Sequence, residues 1–286
     1  MFVGGPLGAV LDCLGFHVPS PILSVGAERV KVIPWETLGR AKAPDGGELV
    51  LYRRGGEHVI RVDGRELMSS RAHGSEEEMA RLCLGGPEGL AELEELAVGP
   101  GRDEGRDGRK MCVLIGGLGL GYTLRAALDV LPAAARVVVA EIVPAVVEWN
   151  RGPLAHLAGR PLDDPRVTVV GGKPQGDVAA AMRGGGRWDA ILLDVDNGPV
   201  ALTRKANHTL YGQTGIATAK AALHPGGVLA VWSAHRDDRF VARLRRAGFA
   251  TAEAIDVPAR GVGGGPLHTI FVARVARVAR LARPSP

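Results

Sequence analysis

The rhythm of apolar and polar positions changes at residue 111. Upstream the pattern is short and strand-like. Glu48–Arg53 (ELVLYR) and His58–Val62 (HVIRV) flank the turn Arg54-Gly55-Gly56-Glu57, and Asp63-Gly64 turns the chain again into Arg65–Ser70, which together predict a small antiparallel β unit. Glu76–Leu84 follows as a helix with acids in its first turn and Ser75 as its N-cap. Residues 1–34 hold no sustained period and read as a disordered leader, or as sequence ahead of the true start. Residues 85–110 are rich in Gly, Pro and charge; they read as linker with one acidic helix candidate, Glu88–Ala97. The small β domain with its helix therefore spans 35–84.

From Met111 the chain alternates strand and helix, the signature of a parallel sheet. The predicted strands are Cys112–Ile115, Arg136–Ala140, Val167–Val170, Ala190–Asp194, Val228–Ser233, Ala252–Asp256 and His268–Ala273. Between them lie predicted helices Tyr122–Val130, Pro144–Asn150, Val178–Arg183, Ile216–Leu223 and Arg239–Ala247. His224-Pro225-Gly226-Gly227 reads as a tight turn, and Gly248 as a helix cap. The last two strands have no helix between them. The expected fold is α/β: a doubly wound, seven-stranded, mostly parallel sheet over 111–275, ending in an antiparallel strand, with the small β domain in front and a basic tail at 276–286.

Composition narrows the class. The chain has 286 residues, 46% of them apolar, enough for a sizeable core. No uncharged apolar run approaches the ~18 residues of a membrane span, and the N-terminal stretch lacks the basic start of a signal peptide. Cys13, Cys83 and Cys112 have no metal spacing and cannot all pair, so the chain reads as cytoplasmic and metal-free. The net charge is +4, with 29 Arg against 6 Lys spread along the chain; this reads as compositional bias, with no nucleic-acid partner expected.

The candidate chemistry starts after the first apolar run of the second half. Gly116, Gly117, Gly119 and Gly121 form a loop between strand and helix, and the next strand ends on Glu141. A dinucleotide loop needs G-x-G-x-x-G. Counting from Gly117 the sixth position is Tyr122, and from Gly119 it is Leu124, so that spacing fails. Gly117, Gly119 and Gly121 give G-x-G-x-G, the style of S-adenosylmethionine-type sites, with Glu141 set to accept from both ribose hydroxyls. The bland alternative is a glycine turn with a solvated strand-end acid.

Ligands in such sheets sit beyond the carboxyl ends of the strands. Asp194 follows the apolar run Ala190–Leu193, where partial burial would raise its basicity. It reads as the base and anchor for an amine acceptor, or else as a structural cap of the turn that follows. Asp196 reads equally as a second anchor or as part of that turn. From the residues alone Asp177 reads as a helix N-cap, Tyr211 as either an acceptor contact or packing, and Glu78 as either an acid over the pocket or a solvated helix face. His208 and His235 read as loop histidines.

These motifs carry a resemblance. Residues from about Trp35 to Ala273 resemble the spermidine synthase (polyamine aminopropyltransferase) family, built on the class I methyltransferase fold. The matching segments are Val62-Asp63-Gly64, Glu76–Met79, the loop Gly116–Gly121, Glu141, Asp194–Pro199, Leu210-Tyr211 and Ala222–Gly227. The resemblance implies a transferase of polyamine biosynthesis, S-adenosylmethionine or its decarboxylated form as cofactor, a small-molecule amine acceptor, and a homodimer paired through the β domain. It also implies roles for Asp177 at the adenine and for Glu78 and Tyr211 at the acceptor. The chain departs from the family in three places. Gly119 or Leu120 stands where the family has a loop aspartate that holds the aminopropyl amine. Glu76 replaces a tyrosine ahead of the helix glutamate. The family's D-x-x-D is compressed to Asp194-x-Asp196. The first departure motivates an alternative, methyl transfer from S-adenosylmethionine; the altered acceptor pocket motivates a second, a non-catalytic binding protein.

Overall fold

A computed structural model describes residues 33–43, 46–84, 110–172, 177–184, 186–195 and 210–277. The leader before residue 33, the linker to residue 109 with its helix candidate, Asp196 and the turn after it, His208, and the tail beyond residue 277 lie outside the described residues.

The first sheet has four antiparallel strands in chain order: β1 (Glu36–Lys42), β2 (Glu48–Arg54), β3 (Glu57–Val62) and β4 (Arg65–Ser69). β1 was not legible in the sequence, because ETLGRAK is an exposed or half-exposed edge with no alternation to read. Its Gly39 lets the backbone come against Trp149; a Cβ there would lie 2.5 Å from the indole nitrogen. α1 (Gly74–Leu84) follows and starts one residue before the predicted cap. Ser75 is therefore inside the helix and fully buried.

The second sheet runs β10-β11-β9-β8-β5-β6-β7. Its strands are β5 (Cys112–Gly116), β6 (Arg136–Glu141), β7 (Val167–Gly171), β8 (Trp188–Leu193), β9 (Leu223–Ser233), β10 (Thr251–Pro258) and β11 (Leu267–Arg274). β11 runs antiparallel to β9 and β10, and the remaining pairs are parallel. The helices are α2 (Tyr122–Val130), α3 (Pro144–Arg151), α4 (Val178–Gly184), α5 (Gln213–Ala222) and α6 (Asp238–Arg246). This is the expected doubly wound sheet.

One boundary differs from expectation. The segment His224–Gly227 is not a turn ahead of the strand but an irregularity within β9, whose pairing with β8 slips between Trp188 and Ala190. Pro225 donates no ladder hydrogen bond, so it is tolerated at such a bulge.

Alternation along the central strands divides the core. Val113 and Ile115 face a cluster shared with Leu51, Ile60, Met79 and Leu84, which joins the small sheet and α1 to the large sheet. Leu114, Ile191 and Leu193 face the opposite cluster with Tyr211, Phe240 and Phe271. Strands buried on both faces explain the unbroken apolar runs.

Arg166 fastens the C-terminal end of α2. Its guanidinium donates to the Leu128 and Leu131 carbonyls at 2.9 and 2.7 Å, and it pairs with Asp164 at 2.8 Å. Cations belong at this pole of a helix. The hydrogen bonds from Arg166 hold the Asp164 carboxyl down, from 3.8 to about 2. The stability contributed by that depressed value is present above pH 3.8 and is lost as pH falls through about 2. Arg166→Ala leaves two buried-end carbonyls without donors; a loss of about 2–3 kcal/mol is expected, read as a fall of about 5–10 °C in Tm by calorimetry.

Candidate active site

The chain order reverses beside β5, whose neighbours are β6 and β8, and the crevice beyond its carboxyl end is where such sheets hold ligands. Three loop glycines there take positive φ: 88° at Gly117, 54° at Gly119 and 87° at Gly121. Gly117 is the most constrained, since a Cβ would overlap the Asp194 carbonyl oxygen. That closeness comes from the ladder, where the Asp194 amide donates to the Gly116 carbonyl at 2.8 Å.

Glu141, at the tip of β6, is buried and braces this loop. One carboxylate oxygen accepts from the Leu118 amide at 3.0 Å, the other from the Val143 amide at 2.8 Å. Glu141 is thus not a solvated strand end. Asn150 on α3 donates to the Gly119 carbonyl at 2.9 Å and ties the loop from the far side.

A cavity opens between the glycine loop and the small sheet. It is lined by Met68 of β4, Glu76 of α1, Gly119 of the loop, Thr123 at the start of α2, Asp194 after β8 and Trp232 of β9. Thr123 Oγ1 donates to Asp194 Oδ2 at 2.8 Å. Burial lifts the Asp194 carboxyl from 3.8 to about 6, against the opposing pull of the Thr123 hydrogen bond. Burial, and next the nearby Asp194 charge, push Glu76 from 4.5 to about 8. Two carboxyls in one poorly solvated cavity cannot both ionise cheaply. Tyr122 packs its ring on His73, with centroids 4.0 Å apart, and burial pushes its hydroxyl up to about 12.

Both acids have raised values in the fold, so they bind protons on folding. The stability they contribute is full below 3.8 and falls as pH rises through about 6 and then about 8. Glu76→Gln is expected to flatten the upper part of that decline; thermal melts between pH 5 and pH 9 check it.

Glu78, Asp177 and Tyr211 lie apart from this cavity. Glu78 does not line it; Glu78 is partly exposed and faces Arg81 at 3.6 Å, and its neighbour Glu76 occupies the position over the pocket. Tyr211 is buried in the opposite core cluster, with its hydroxyl donating to the Val195 carbonyl at 3.1 Å and its ring edge-on to Phe240. Asp177 is exposed and accepts from the Ala180 amide at 3.0 Å, the N-cap arrangement for α4. His235 is exposed on the loop after β9. Sequence reasoning missed the cavity roles of Glu76, Thr123 and Trp232. The signals were present, in an acid at the family's tyrosine position, a hydroxyl directly after the glycine loop and an indole at a strand end. Among the described residues no cluster of His, Cys, Asp or Glu could hold a metal ion, and no helix is long and apolar enough to cross a membrane.

Comparison with known proteins agrees with this architecture. No family model matches the chain. The polyamine aminopropyltransferases of Mycobacterium tuberculosis and Mycobacterium bovis are 30% identical to it over 162 residues, 54% of this chain. The chain spans 30% of the length of these curated relatives. A spermidine synthase solved with the transition-state analogue AdoDATO superposes with a TM-score of 0.58 at 17% identity, covering 83% of this chain and 73% of its own. A probable spermidine synthase from Corynebacterium glutamicum superposes at 0.52 with 16% identity, over 86% and 82% of the two chains. The chain is thus similar in part of its sequence to polyamine aminopropyltransferases, and its fold, a small antiparallel sheet beside a seven-stranded, mostly parallel one, is that of the solved spermidine synthases.

Proposed function

We propose that this protein transfers an alkyl group from a sulfonium nucleoside, S-adenosylmethionine or its decarboxylated form, to a small amine, a reading supported by its similarity to proteins named polyamine aminopropyltransferases. The observation that carries this reading is the Asp194 carboxyl, held by Thr123 in a cavity beside the glycine loop with its basicity raised by burial. In this reading Gly117, Gly119 and Gly121 let the backbone approach the ligand, and Glu141 at the tip of β6 receives the ribose hydroxyls. When bound, the nucleoside supplies an electrophilic carbon on sulfur. Asp194 holds the ammonium form of the acceptor and takes its proton, freeing the nitrogen lone pair. Asp196 as second anchor and Asp177 at the adenine belong to the same reading; the acceptor roles expected of Glu78 and Tyr211 do not, since neither lines the cavity. So do the division at residues 35–84 and 111–275, a homodimer through the small sheet, a cytoplasmic location and the absence of a nucleic-acid partner.

Methyl transfer from S-adenosylmethionine is the second reading. It is favoured by Gly119 and Leu120, which line the cavity without supplying a carboxylate for an aminopropyl amine. Calorimetry with both nucleosides separates the two: tighter binding of the decarboxylated form supports aminopropyl transfer, and a clear preference for S-adenosylmethionine supports methyl transfer. An amine panel with mass detection then identifies the product. If neither nucleoside binds, both readings fall and a non-catalytic role stands.

A further inference from the structure

Behind the cavity wall lies a polar chain that the transfer chemistry does not require for binding. Ser75 is fully buried in the first turn of α1, yet its hydroxyl oxygen has three partners. It lies 2.7 Å from Glu76 Oε2, 2.8 Å from His268 Nδ1 on β11 and 3.0 Å from Trp232 Nε1 on β9. The indole can only donate, so one lone pair of Ser75 is committed to it. The remaining lone pair and the hydroxyl proton face Glu76 and His268, and their direction can reverse. With Glu76 ionised, Ser75 donates to Glu76 and accepts from Nδ1–H of His268. With Glu76 protonated, Glu76 donates to Ser75 and Ser75 donates to a bare Nδ1.

Glu76 lines the cavity, whereas His268 does not line it and is half-buried on β11. We infer that Glu76, Ser75 and His268 form a proton relay that carries the proton released in the cavity out through the β9–β11 side of the sheet. The need for such a route rests on the amine-alkylating reading. There an ammonium and a sulfonium become an alkylated ammonium, a thioether and one free proton. The N–H bond breaks, the nitrogen pair forms the N–C bond, and the C–S pair leaves with sulfur. Asp194 hands the proton it took to Glu76 across the cavity that both line, and it passes from Glu76 to Ser75 as the hydroxyl proton passes to Nδ1. His268 then releases a proton to water, and ring tautomer exchange with rotation of the hydroxyl resets the chain. Among the described residues, the charged and titratable groups facing Glu76 are Asp194, Glu77 and Tyr122, and His235 faces His268. Burial first, and His235 next, hold His268 below its ordinary value, so the ring gives its proton up readily.

Nitrogen-15 NMR of labelled histidine tests the relay without any turnover. In the unaltered protein the Nδ1 resonance of His268 is expected to follow two titrations, its own and that of Glu76. Glu76→Gln should remove the second, Ser75→Ala should uncouple the two, and Ser75→Thr, which keeps the hydroxyl, should restore the coupling. A His268 titration indifferent to Glu76→Gln in a folded protein overturns the relay. With an acceptor in hand, His268→Ala should slow turnover on the order of 100-fold, at the low end of acid–base effects. Added imidazoles should rescue it in order of their basicity, a dependence that mere refilling of a hole would not show. Rescue independent of basicity overturns the use of the relay in turnover. If no amine is ever alkylated while the NMR coupling holds, the functional proposal fails and the relay stands.

Discussion

Asp194→Asn is expected to lower the rate of amine alkylation by about 10²–10⁴-fold and to leave nucleoside affinity near its original value. The amide is close to the carboxylate in size and can still accept from Thr123 Oγ1, which now bonds Asp194 at 2.8 Å. What it loses is the ability to receive a proton and to hold an ammonium by charge. The pH–rate profile carries the same information. Turnover in the unaltered protein should rise with pH through about 6 as Asp194 ionises, and the variant should lose that limb. Single-turnover rates together with calorimetric binding check both parts. Product formation that survives the change at full rate would remove Asp194 from the base role.

Gly117→Ala should cost about 3 kcal/mol of stability and most of the nucleoside affinity. Two penalties add. Gly117 holds φ at 88°, where an L side chain is strained by about 1–2 kcal/mol. The added carbon would also collide with the Asp194 carbonyl oxygen, which the β5–β8 ladder prevents from moving aside. Loop and base are therefore displaced by one substitution. A fall of about 6–10 °C in Tm, with weak or absent nucleoside binding, is the expected result. Retention of both melting point and binding would mean that the loop makes no close approach to a ligand.

The two substitutions probe features that differ in how visible they are in the sequence. Gly117 stands out because a strand of buried β-branched and aliphatic residues ends on a run of glycines, and both signals are local. Glu141 was legible for the same reason, as an acid at the end of the next apolar run. The amides of Leu118 and Val143 now account for its burial. Glu76 was harder to place. In an acidic first turn, Glu76, Glu77 and Glu78 look alike in one dimension. The roll of α1 against α2 decides that Glu77 pairs with His73 and Arg81, that Glu78 faces Arg81, and that Glu76 alone turns into the cavity. Tyr211 shows the converse. It lies where the family has such a residue, yet its ring joins the core under Phe240.

Residue order alone determined the succession of strands and helices from β2 onward, the glycine loop and the acids at strand ends. Each of these depends on periodicity or on backbone conformation within a few neighbours. The tertiary structure decided which acids share a cavity, which are capped or braced by amides, and that Ser75 touches a histidine 193 positions away. Those outcomes depend on packing between distant elements, because the acidity of a carboxyl follows how much water and which charges that packing leaves beside it.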